Sequence, residues 1–318
     1  KADPCGQRPA AEVAHTSAAF FLAATMAQQE ADGLHYTARM LAPRQIVFTA
    51  ADEVFSLPLK EPWEAAWEAV HMLAAQGVPW VLASRGTRAQ IEPLRRKLQH
   101  VHPFLTERGA GLFIPDGYFN VHLEGATRLG RNFCVPFERT HGEAAAALAE
   151  IAGEAQASVV GFSQMSLREI ASNTGLSPRE AELYRQREFG EIFFFAGETE
   201  NTTERFSLVA QERGWTALPG DPFWELRGPL KQPAENAVRY LMSVYRKALH
   251  GRQRSVGIGT DVRDLYLLSA TDAAVVLPHR AGGFDEGLLS RLPRAKRVER
   301  AGPDGWGEAV LRVLKRNE

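Results

Sequence analysis

Cysteine is scarce: Cys5 and Cys134 are the two in 318 residues. Two thiols cannot build a disulfide framework, and their spacing is no zinc pattern. A charge excess is missing as well. Lys and Arg total 37 against 38 Asp and Glu, a formal net charge of −1. Nucleic acid is therefore not an expected partner of the chain as a whole. The longest apolar stretch near the start, residues 18–24, falls far short of the roughly 20 residues that span a bilayer, so no transmembrane segment is expected. Internal repeats and low-complexity tracts are not evident, and the basic run 294–300 reads as a solvated surface turn. What remains is a globular composition, 45% hydrophobic and 24% charged. It suits a cytoplasmic protein of about two domains with a sizeable core. Lys1 is not an initiator Met, so sequence upstream of it is expected.

Residues 1–42 read as a helical extension. Phe20, Phe21, Leu22, Met26, Leu34 and Met40 recur there in an Ala-rich stretch that ends at Pro43, and such a face needs cover. The polar side lacks the Lys and Arg of a membrane-surface helix. Packing on the next domain, or a protein partner or homo-oligomer docked through 1–42, is the expectation.

From Gln45 the pattern changes. The apolar run 46–49 suits a buried parallel strand, residues 63–76 have helical periodicity closed by Gly77, 78–83 is a second strand, and a helix follows over 87–98. The same alternation returns late, as a helix over 235–249, a strand at 255–259, a helix near Asp264 and a strand at 273–277. We expect an α/β fold: a Rossmann-like doubly wound parallel sheet built from residues 43–120 and 226–318, with an α+β cap inserted at 121–225. In such a sheet function sits beyond the carboxyl ends of the strands. That brings together Ala50, Asp52 and Glu53, then Ser84, Arg85 and Thr87, then Thr260, Asp261, Arg263 and Asp264.

On these residues the chain resembles the haloacid dehalogenase superfamily, and within it the mannosyl-3-phosphoglycerate phosphatase family. The carriers are IVFTAADEVF, GVPWVLASRGTRAQIEPLRRKL, HPFLTERGAGLFIPDGYF, MSLREIASNTGLSPREAELYRQREFGEIFF, AVRYLMSVYRK, SVGIGTDVRDLYLLSATDAAVVLP and AGPDGWGEAV, spread over residues 44–314. The resemblance implies a phosphomonoester hydrolase working through an aspartyl-phosphate, with a second Asp as proton shuttle, a Ser or Thr and a Lys on the phosphoryl group, and Mg²⁺ held by acidic residues.

Carried over position by position, that machinery is depleted. Ala50 stands at the nucleophile, Asp52 keeps the proton-shuttle position, and Ala234 replaces the Lys. Thr260 replaces the principal metal-binding Asp. Asp52, Asp261 and Asp264 remain as a metal remnant, which implies no cofactor, or Mg²⁺ if any activity is retained. Ser84, Arg85, Thr87, Lys231 and Arg263 form a remnant that could favour a small anionic ligand. An internal pair such as Arg263–Asp52 is the competing expectation, and it would close the vacated site. In the cap, Arg187 and Glu191 match positions that face substrate, while Gly220-Asp221-Pro222 replaces the segment that would bring an Arg to the glycerate. A methyl group cannot attack phosphorus. The expected function is thus a phosphatase-like pseudoenzyme that binds a protein or a ligand. The alternatives are a Mg²⁺-dependent phosphatase for mannosyl-3-phosphoglycerate or a related sugar phosphate, and a DNA binder. The last rests on residues 166–178, which read as a helix-turn-helix with Arg179, Arg185 and Arg187 available for contacts, against Glu180, Glu182 and Glu188 on the recognition helix.

Overall fold

The computed structural model describes residues 43–55, 66–197, 200–220, 223–228 and 233–315. The expectations for residues 1–42, for Lys231 and for Asp221-Pro222 lie outside the described residues. In chain order the strands are β1 (Gln45–Ala50), β2 (Trp80–Ala83), β3 (Phe104–Thr106), β4 (Gly111–Pro115), β5 (Thr127–Leu129), β6 (Asn132–Pro136), β7 (Val159–Gly161), β8 (Glu191–Phe195), β9 (Thr216–Leu218), β10 (Trp224–Arg227), β11 (Arg254–Gly259), β12 (Ala273–Val276) and β13 (Lys296–Arg297).

All six residues of β1 are buried, which is why its sequence is nearly all apolar rather than alternating. Ile46 and Phe48 share a core with Leu241 and Tyr245 of helix Pro233–Leu249. Val47 belongs to the opposite face, with Leu94 of helix Arg88–Lys97 and Val310 of helix Gly302–Leu314. On that face the Trp306 indole N–H donates to Thr49 Oγ1 at 2.9 Å. Helices therefore cover both faces of the sheet, as the two-layered grammar of the sequence requires.

Among the described residues the main sheet runs β13-β12-β11-β1-β2-β3-β4-β6-β5. It is parallel from β13 to β3 and antiparallel beyond. The chain leaves β1 toward β2 on one side and returns much later to β11 on the other. That is a topological switch point, and a crevice opens at the carboxyl ends of these three strands.

The expected cap boundaries shift. β5 and β6, placed in the cap from sequence, extend the main sheet, β6 pairing with β4 and β5 with β6. Without β6 the antiparallel β4 would present an unpaired edge. The second sheet, β7-β8-β10-β9, is antiparallel throughout and lies within residues 141–227. Helices His141–Ala155 and Glu200–Glu212 cover one of its faces through Leu148, Ile151 and Phe206. Helices Leu167–Thr174 and Pro178–Arg185 cover the other through Ile170 and Ala181. Both of these start on capping boxes, Ser166 with Glu169 and Ser177 with Glu180. No helix among the described residues is long and apolar enough to cross a membrane.

Candidate functional site at the strand ends

β1 stops at Ala50, whose methyl is fully buried. One helical turn, Ala51–Val54, follows and presents Asp52 to the loop after β2. There the Ser84 hydroxyl donates to Asp52 Oδ1 at 2.6 Å, while the Arg85 backbone N–H and its Nε donate to Oδ2 at 2.8 and 3.1 Å. Three donors thus occupy both oxygens of one carboxylate. Ser84 is fixed in turn, because its oxygen accepts the Gly86 N–H at 2.9 Å.

The next ring of charge closes over this. Glu53 accepts from Arg85 at 3.3 Å and from Arg263 at 2.6 Å. Arg263 also holds Asp261, by its backbone N–H at 2.8 Å and its Nε at 3.0 Å. Asp264 is fully buried, and its Oδ2 accepts the Thr260 N–H at 2.8 Å. Burial, opposed by that N–H, pushes its carboxyl up to about 6. Burial also works against the Arg85 charge, but Asp52 and Asp264 outweigh it and hold the guanidinium above its ordinary range. The internal pair expected between Arg263 and Asp52 is not the one formed. Arg85 takes Asp52, because it follows Ser84 directly and its own backbone N–H already rests on that carboxylate.

Above the strand ends lies a cleft of about 350 Å³, floored by Asp52, Ser84 and Arg85 and roofed by Tyr184, Arg187 and Glu225 of the cap. Arg187 is buried between Glu225 at 2.7 Å and Glu107 at 3.2 Å. Glu107 comes from the core. It also accepts the N–H groups of Glu188 and Phe189 at 2.9 and 3.1 Å, and burial, resisted by Arg187, pushes it up to about 7. Burial raises Glu225 too, but Arg227, Arg187 and Arg108 prevail and hold it below the usual carboxylate range.

Not every expected residue reaches the cleft. Glu191 sits fully buried on the other face of the cap sheet with Phe193, where it accepts the Ser163 N–H at 3.3 Å. Its neighbour Ile192 lines the cleft instead, since alternate residues of a strand face opposite ways. The Thr87 hydroxyl is committed. It donates to the Leu183 carbonyl at 2.8 Å and accepts the Gln90 N–H. Ala234 packs against Gly109 rather than into the cleft. The helix of the DNA-binding alternative turns Leu183 and Tyr184 into the cleft wall, and Arg187 beyond it is buried, while Arg179 and Arg185 are exposed. Glu107, Arg108, Tyr184 and Glu225 were not singled out from sequence. The ERG triplet at 107–109 was the available signal, since its glycine marks a turn.

No family model matches the chain. Among curated proteins, the chain is 26% identical over 274 residues to a glucosyl-3-phosphoglycerate/mannosyl-3-phosphoglycerate phosphatase of Methanococcoides burtonii, covering 86% of this chain and 98% of that protein. A protein of the same name from Persephonella marina is 25% identical over 276 residues, with the same coverage of each. Among solved structures, a phosphatase of the haloalkanoate (HAD) superfamily from Bacteroides thetaiotaomicron superimposes with a TM-score of 0.56 at 14% identity, over 88% of this chain and 98% of that one. The chain has the haloacid dehalogenase fold. Within that fold the crevice just described is the strand-end site, and its curated homologues are named as phosphatases.

The Mg²⁺ implied by the resemblance does not fit these side chains. Hard divalent cations need several free oxygen ligands, yet Asp52 and Asp261 are taken up by guanidinium and N–H donors. Among the described residues no group of three or more His, Cys, Asp and Glu is arranged to hold a metal ion.

Proposed function

We propose that this chain is a phosphatase-like protein without the aspartyl-phosphate reaction, which uses its capped cleft to bind a ligand. The observation that carries this reading is the buried Ala50 methyl beside an Asp52 whose two oxygens are both occupied. No nucleophile stands at the end of β1, and the residue in the proton-shuttle position is tied to a guanidinium.

The same network argues against an anion as the ligand of the floor. Arg85 and Arg263 each face two carboxylates, so little positive charge is left to offer. On the roof, Arg187 is matched by Glu107 and Glu225. A ligand of balanced charge, rich in hydroxyl groups, suits paired guanidinium and carboxylate edges beside the Tyr184 ring.

Phosphate release from mannosyl- and glucosyl-3-phosphoglycerate, assayed with Mg²⁺, is expected to match a denatured control. Release above that control, abolished by Asp52→Asn, would establish the Mg²⁺-dependent phosphatase instead. Titration calorimetry with neutral glycosides and with inorganic phosphate separates the two ligand classes. Heat from phosphate alone overturns the balanced-charge assignment.

A further inference from the structure

Between the start of helix Pro233–Leu249 and the cap strands β9 and β10 lies a second cavity, of about 290 Å³. We propose that it binds a monocarboxylic acid with a small apolar body, held at its carboxylate by Arg108. The assignment does not depend on what occupies the cleft over the strand ends, since Asp52, Ser84 and Arg85 do not line this cavity.

Arg108 carries the argument for the charge. Its backbone sits in the left-handed turn at φ 58°, and its N–H donates to the Ser84 carbonyl at 3.1 Å, so the side chain leaves from a fixed point. Among the described residues its guanidinium has one ionic neighbour, Glu225 at 3.6 Å, which is too far for a hydrogen bond. Glu225 gives its other oxygen to Arg187 at 2.7 Å. The planar fork of donors on Arg108 is thus open, and a carboxylate matches such a fork with two parallel bonds. Arg227 lines the same cavity but is spent on Glu138 and on the Glu107 carbonyl. Glu235, the carboxylate of the lining, is paired with Arg239. The 17-residue helix that begins at Pro233 turns its positive end to the same space.

The walls decide the body of the ligand. Leu218, Pro233, Ala234 and Tyr266 make the rest of the lining largely apolar. A sugar or an inorganic oxyanion leaves such walls uncovered, whereas an aryl or short alkyl group takes them out of water. One open guanidinium balances a monoanion and not a dianion.

The test titrates the full chain by calorimetry at neutral pH with phenylacetate and with its uncharged counterpart, phenylacetamide. One phenylacetate is expected to bind per chain, and the amide at least about tenfold more weakly, for want of a charged hydrogen-bonded pair. Arg108→Gln should erase that preference and leave both at the weaker affinity. Arg108 borders the cleft as well, but Leu218 does not. Leu218→Trp fills the second cavity from β9 and should abolish binding of both compounds. A wild type that binds no phenylacetate at millimolar concentration, or that binds acid and amide alike, overturns the proposal. So does phenylacetate binding left unchanged by either variant. Inorganic phosphate bound as tightly as phenylacetate overturns the apolar body. Circular dichroism checks that the variants fold, with Arg108→Met and Leu218→Phe in reserve, and the comparison of acid with amide on the wild type decides the charge without any variant.

Discussion

At Ala50 the chain has a methyl group where β1 meets its crevice, enclosed on all sides. Replacing it by Asp does not simply return a nucleophile. The new carboxylate would be buried two residues from Asp52, and a buried charge short of partners is destabilising. Ala50→Asp is expected to lower stability by on the order of 1–3 kcal/mol and to leave phosphate release at the background level. A urea titration and a phosphate assay on the same preparation check both halves. Asp264 gives a pH dependence of known sign. Its carboxyl is raised to about 6 by burial, so the ionised form is the costly one. The stability owed to the protonated form is complete below about pH 4 and is lost as pH rises through 6. Asp264→Asn cannot lose it. Urea midpoints at pH 5 and pH 7.5 should therefore show the Asn variant gaining on the wild type at the higher pH, by up to about 1.4 kcal/mol.

The turn Glu107–Gly109 is the element on which core and cap depend. All three of its residues adopt positive φ, at 50°, 58° and 86°. At Gly109 an added Cβ would fall 2.5 Å from the Ala234 Cα. Gly109→Ala is expected to cost about 1–3 kcal/mol or more, through strain and this clash, and thermal unfolding would show it. Such a turn is hard to see in a sequence, because Glu and Arg carry no mark of left-handed backbone. Parallel strands β1, β2, β11 and β12 and their helices were legible, since burial on both faces writes a continuous apolar run. β3 and β13 are too short to read, and β13 falls in the run 294–300 expected to be a surface turn. The pair β5 and β6 was not legible either. β5 is three exposed residues, and an edge strand of that length leaves no apolar pattern to read. The strand-end residues were found because each follows its strand directly. The choice of partner for Asp52 was missed because it depends on loop geometry, which residue spacing alone does not encode. Glu225 was missed because its partners, Arg187 and Arg108, lie far away along the chain.

For the whole molecule, two joints decide whether the cap stays on the core. One is the buried Arg227–Glu138 pair beside the connecting segments, and the other is Glu107 with Arg187 and two cap N–H groups. Glu107→Ala leaves Arg187 to Glu225 alone and two buried N–H donors without their acceptor, and is expected to cost about 1–3 kcal/mol. Protease cleavage between core and cap should rise with it, and a variant as resistant as the wild type would contradict this account of the joint. For residues 1–42, which lie outside the described residues, the expectation is cover by the next domain or by another chain. A deletion tells them apart: loss of stability points to the first. Loss of self-association or partner binding, read by light scattering, while the circular dichroism of the α/β core is retained, points to the second.

The bonds from Thr87 to Leu183 and from Arg88 to Glu188 bridge the loop and helix beside the cleft floor to its roof, and they have a kinetic meaning. A molecule whose release needs core and cap to part has a residence time set by the seam and not by its own contacts alone. Ligands of unlike affinity should then share a common upper limit on their rates of escape. Salt, which weakens the half-exposed Arg88–Glu188 pair more than the buried one, should shorten the stay by a small factor.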